Sequence, residues 1–257
     1  MKTLKNIILL VAIATVMAFI TSCSKLNRIE GNSSIRSEIR NSVSFNRVEN
    51  EGTFNVYIIS DTSFFIEIEA ESNLIPHIRT TVHGNVLEVS TNETLDNNYA
   101  MNLFVHTPVL EGVELSGSGL VDVGYFESAT FGATLSGSGT ILGDVKAVNF
   151  NSNLSGSGEI DFIINSTNTH ASISGSGNIV LAGSCYKGNY NISGSGNIEA
   201  YALPIHECDA KISGSGNIFT EVSDVLDVTI SGSGNLYYRG TPIVVTNITG
   251  SGQVIGQ

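Results

Sequence analysis

"ISGSGNI" occupies residues 173–179, 192–198 and 212–218. A single glycine-rich loop of this kind can cradle a phosphate, but such a loop is used once in a site. Here the second residue of each "SGSG" is Gly117, Gly137, Gly156, Gly175, Gly194, Gly214 or Gly232, and a "TGSG" adds Gly250. Two residues on stand Gly119, Gly139, Gly158, Gly177, Gly196, Gly216, Gly234 and Gly252. The steps between copies are 20, 19, 19, 19, 20, 18 and 18 residues, and the copies hold 16 of the 27 glycines. Self-similarity at this period predicts a solenoid of about 19-residue coils, with the glycines as parts of its frame.

Two aliphatic columns frame the glycines. Two residues before the first glycine stand Leu115, Leu135, Leu154, Ile173, Ile192, Ile212, Ile230 and Ile248. Four residues after it stand Val121, Ile141, Ile160, Ile179, Ile198, Ile218, Leu236 and Val254. The position three before it is polar in every copy. This alternation is that of strands with one buried face. The glycines share the inward parity, so they either spare the opposite wall a Cβ or permit positive φ. The intervening serines face outward, and Asn178, Asn197, Asn217 and Asn235 form a column whose amides can bond from coil to coil. One coil alone buries too little apolar surface to offset the entropy of ordering it. Coils must therefore stack at about 4.8 Å, which makes an all-β parallel β-helix, expected to be right-handed. Each coil has two clear strands and a more variable third side, where a binding surface can be written.

The chain divides into three. Lys2 and Lys5 precede the uncharged run Ile7 to Ile20, too short to span a bilayer comfortably and shaped like a secretory signal over residues 1–22. It ends in "ITSC", similar to a bacterial lipobox, which predicts a lipid on Cys23 and a membrane partner through that anchor. Residues 23–42 read as anchor and tether. Residues 43–257 form the β domain, with non-repeating strands over 43–110 and the repeats over 111–257. Within 43–110, "TTVHGNVLEVS" reads as a hairpin turning at His83-Gly84-Asn85, and the section is expected to cover the first coil's edge. The chain's last coil shows no evident cap, so a homo-oligomer through that C-terminal coil is a candidate. Cys185 and Cys208 fit either a disulfide or two buried thiols.

The opening "FNRVENEGTFNVYIISDTSFFIEIEAESNLIPHIRTTVHGNVLEVS" and the serial "SGSGxI" array resemble the putative auto-transporter adhesin, head GIN domain family of Bacteroidetes lipoproteins. The resemblance spans about residues 43–257. It implies a β-helical, surface-associated protein with an adhesive role, and it brings no catalytic residues; the ligand is left open, with a glycan or an envelope protein as the candidates. The residues after Cys23, "SKLNR", lack the acidic run associated with surface export. That absence leans towards the periplasmic side; the anchor is expected in the outer membrane, its face left undecided between periplasm and surface.

Other chemistries are weak. A net charge of −12 repels phosphate backbones and argues against nucleic acid. No dinucleotide, nucleophile-elbow or zinc motif is present, and no cofactor or metal is expected. One enzymatic arrangement stands out: Asp122, Asp161 and Glu199 fall on alternate coils, about 9.6 Å apart, near the separation used by inverting glycosidases. A glycan-active enzyme is the first alternative and a self-assembling structural component the second. His77, His83, His106, His170 and His206 are scattered. Phe219, Tyr237 and Tyr238 form an apolar patch suited to stacking sugars or filling the core.

Overall fold

A computed structural model describes residues 28–257; the signal, Cys23 and the first tether residues lie outside the described part. The chain before the repeats supplies β1 (Arg28–Glu30), β2 (Ile35–Asn41), β3 (Arg47–Asn50), β4 (Asn55–Ser60), β5 (Phe65–Glu71), β6 (Arg79–His83), β7 (Val86–Ser90), β8 (Thr94–Asp96) and β9 (Asn102–Thr107). The repeats supply β10 (Gly112–Leu115), β11 (Leu120–Leu135), β12 (Thr140–Leu154), β13 (Glu159–Ile173), β14 (Asn178–Ile192), β15 (Asn197–Ile212) and β16 (Ile218–Ile230). The last coil is split into β17 (Leu236–Arg239), β18 (Ile243–Ile248) and β19 (Val254–Gly256).

From β10 to β19 every neighbouring pair is parallel, so the repeats are the expected parallel β-solenoid. Both aliphatic columns up to Leu236 are buried and line one shared interior. Phe131, Phe150 and Phe162 cluster in it, with Phe150 and Phe162 ring centres 5.1 Å apart. Register slips only on the third side, between Val123 and Tyr125, Val180 and Ala182, Ala200 and Pro204, and Ile205 and Glu207. Such bulges let coils of unequal length stay in register elsewhere.

The corner glycines are required for close approach and not for φ. Among the described residues, positive-φ glycines are Gly84, Gly183 and Gly240, none of them in a corner. A Cβ on Gly137 would overlap the carbonyl oxygen of Gly117, and one on Gly156 that of Gly137, well inside the 3.0 Å limit of real Cβ contacts. The crowding therefore runs down the axis, onto the preceding coil's backbone, and not across to the opposite wall. The approach serves hydrogen bonding: Ser157, Ser176 and Ser195 N–H donate to the carbonyls of Gly137, Gly156 and Gly175 at 3.1, 3.0 and 2.9 Å.

The non-repeating section continues the solenoid out of sequence order. β3 and β4 stack beneath β10 and β11, while β7 and β9, later in the chain, stack beneath β3 and β4. Antiparallel strands finish this end: β6 on β7, then β5 on β9 and β2 on β5. The β6–β7 hairpin turns at Gly84, whose φ of 62° suits glycine.

The stretch read as a tether is part of this body from Arg28 onward. β1 pairs with β8, and β2 runs in register along all of β5. Between them Ser33 N–H donates to buried Glu71, which also accepts from Asn98 N–H at 2.7 Å and Asn98 Nδ2 at 2.9 Å. Arg28, five residues beyond Cys23 in the sequence, already belongs to the body.

Candidate functional site

One outer face carries most of the chemistry, in two adjacent columns. The first runs Glu69, Asn102, Asn55, Leu120, Thr140, Glu159, Asn178, Asn197, Asn217, Asn235. Asn178, Asn197 and Asn217 each accept the next asparagine's backbone N–H at 3.2, 3.0 and 3.0 Å, and Asn235 accepts from Gln253 N–H at 3.0 Å. The side-chain amides also bond from coil to coil, at 3.2 Å between Asn217 and Asn197. This column is occupied with itself and holds the coils together.

The second column runs Ile39, Glu67, Phe104, Tyr57, Asp122, Leu142, Asp161, Val180, Glu199, Phe219, Tyr237, Ile255. Aromatic pairs stack near both ends, Tyr57 on Phe104 at 5.3 Å and Phe219 on Tyr237 at 5.1 Å. Asp122, Asp161 and Glu199 do fall on this line, but Leu142 and Val180 separate them and no cation shares it. Burial raises the Asp122 carboxyl pKa. Such carboxylates can accept hydrogen bonds from a ligand, and the column supplies no neighbour to make one of them an acid and the next a base.

Where the column meets the irregular third side, a cleft of about 400 Å³ opens between Val180, Leu181, Glu199, Tyr201, Ala202 and Phe219. The Tyr201 and Phe219 rings meet edge to face at 5.7 Å. The Arg239 guanidinium lies 4.1 Å over the Tyr201 ring centre, and the Tyr201 hydroxyl donates to Gln257 at 2.8 Å. The ring is thus held from three sides, and burial raises its phenol pKa. An apolar floor, a fixed aromatic ring, one acceptor carboxylate and a cation at the rim make an amphipathic binding cleft. Sequence reasoning missed Tyr201 and Arg239, since both leave the regular columns and meet only across coils. Of the expected patch, Phe219 and Tyr237 do lie outside, whereas Tyr238 packs against the core.

Other groupings do less. A polar groove of about 500 Å³ runs past Glu127, Lys146 and Asn165, but Lys146 is paired with Glu127 at 3.0 Å. Ser223, His206 and Asp224 look like a hydrolase triad by composition. Serine and aspartate both address His206 Nδ1, at 3.2 and 3.3 Å, so the relay through two ring nitrogens is lacking. Cys185 and Cys208 are free and buried, and burial pushes the Cys208 thiol pKa far up. Among the described residues, no helix is long and apolar enough to cross a membrane, and no cluster is suited to a metal ion.

Known proteins share this fold. The family described as "Putative auto-transporter adhesin, head GIN domain" matches residues 44–242. A solved structure described as a putative adhesin from Parabacteroides merdae has a TM-score of 0.85 and 24% identity, covering 90% of this chain and 99% of that one. A second, described as a putative lipid binding protein from Parabacteroides distasonis, has a TM-score of 0.83 and 24% identity over the same shares. A putative adhesin from Bacteroides fragilis has a TM-score of 0.68 at 22% identity, covering 89% of this chain and 100% of that one. At these identities the likeness concerns the fold. No curated protein matches the chain.

Proposed function

We propose, from the premise that the chain belongs to the putative auto-transporter adhesin, head GIN domain family, that it is a lipid-anchored, non-enzymatic binding protein of the outer membrane. Its ligand is a glycan, held in the cleft at Glu199, Tyr201 and Phe219. The observation that carries this reading is the Tyr201 ring fixed between Arg239 and Phe219 beside an acceptor carboxylate. A rigid aromatic face stacks on the C–H side of a sugar ring without having to move on binding, and the exposed Glu199 carboxylate accepts its hydroxyl protons. The "ITSC" sequence supports the anchor at Cys23.

A glycan array probed with the wild-type protein and with Tyr201→Ala tests the ligand class. The expected result is a defined set of glycans whose binding falls about tenfold or more in the variant, as for a central aromatic anchor. Binding that ignores Tyr201→Ala and Glu199→Gln alike contradicts the site. The cleft's apolar floor favours a second reading, an acyl chain in the same place, and displacement of a fluorescent fatty acid separates the two. For the anchor, Cys23→Ser is expected to move the protein from the detergent phase to the aqueous phase, and unchanged partitioning refutes it.

A further inference from the structure

We infer that the N-terminal end of the solenoid docks on the lipid surface itself, through Ile35, Ile39 and Val43. The inference rests on the anchor at Cys23 proposed above. Arg28 is paired with Thr94 in the body, and the five residue steps from Cys23 to Arg28 reach at most about 18 Å. A lipid on Cys23 therefore keeps Arg28, at the start of β1, within that distance of the bilayer and brings the following loop and β2 close to it.

The side chains there are unusual for an edge strand. Ile35 is 50% exposed, Ile39 65% and Val43 68%, the two isoleucines on one face of β2 and Val43 just past its end. The opposite side of β2 carries Arg36 and Glu38, both exposed, and half-buried Arg40 instead of apolar residues. Arg40 is committed to Ile75 and Ile78 carbonyls and to Glu38. Tyr99, 50% exposed, follows Asn98, which bonds Gly31 O at the loop into β2; tyrosine is favoured at the water–lipid boundary. Aliphatic side chains facing out, so few residues beyond the lipid-bearing Cys23, fit insertion at headgroup level. Glu67 and Glu69 on the neighbouring strand keep the rest of that face in water. From Ile39 to Glu199 is eight strand spacings, so docking at this end holds the cleft about 38 Å farther along the axis.

The test uses the full chain purified from its membrane and returned to phosphatidylethanolamine–phosphatidylglycerol vesicles, with a fluorophore on Ile39→Cys or, as control, Thr241→Cys. Mass spectrometry of the same samples reads the lipid on Cys23. The expected result is an acylated chain whose label at 39 is quenched by a lipid-borne quencher and shielded at least about threefold from aqueous iodide, while the label at 241 stays open to iodide. An acylated chain with both labels open to iodide overturns the docking and leaves the anchor standing. A label at 39 shielded from iodide without lipid quenching shows protein over the patch and also overturns it. An unmodified Cys23 removes anchor and docking together.

Discussion

At the residue scale, two kinds of position carry the account. A corner glycine lies against the carbonyl of the coil beneath it, so an added methyl must push two coils apart. Gly156→Ala is expected to cost more than about 3 kcal/mol in denaturant unfolding, or to prevent folding, while exposed Ser157→Ala stays within about 0.5 kcal/mol. Two glutamates have opposite signs. Glu71 is held below the usual carboxylate range, first by the Asn98 side chain, with help from the Ser33 and Asn98 backbone amides against its desolvation. Its contribution is present above the unfolded pKa and is lost as pH falls through the lower folded value. Glu49 is pushed up by burial and then by Glu114, Glu51 and Glu88, so its ionised form disfavours the fold at neutral pH. Thermal melts are expected to show Glu71→Gln less stable than wild type at pH 7 and Glu49→Gln more stable, both differences shrinking as the carboxylates are protonated. The spacing of the glycines was legible in the sequence. Parity assigns a face, however, and cannot say that the crowding runs along the axis.

At the element scale, hydrophobic alternation located the repeat strands because each has one wall in a shared core. It failed at β2, where "IRSEIRN" keeps aliphatic and charged side chains alike exposed and only Arg40 is half-buried. Charged residues along such an edge strand block further pairing. Its hold on the body is polar: Arg40 donates to Ile78 O at 2.7 Å, Ile75 O at 3.0 Å and Thr80 Oγ1 at 3.2 Å. Arg40→Ala is expected to cost about 1–3 kcal/mol by removing the donor from the Ile78 carbonyl and from Thr80 Oγ1, while Ile75 O keeps the Ile78 N–H. Hydrogen exchange is expected to quicken in β2 and in residues 75–80 before it does in the repeats. The candidate cleft was half legible: Glu199 and Phe219 sit in a regular column, whereas Tyr201 follows a register slip and Arg239 is brought to it by stacking.

At the scale of the whole molecule, the two ends differ. Antiparallel strands close the N-terminal end, and nothing local in the sequence shows that β7 and β9 lie beneath β3 and β4. At the other end Ile243, Val245 and Ile248 are exposed in the last coil. Between them, the corners hold the coils in one ladder. Native-state hydrogen exchange of the Ser157, Ser176, Ser195 and Ser215 amides tests this most directly. Their N–H groups donate to the coil beneath, so they are expected to exchange only through opening of the solenoid, with protection close to the slowest core amides. Exchange at the rates of free peptide would mean that the glycine–serine corners are open loops with donors free for a ligand, and would contradict the account.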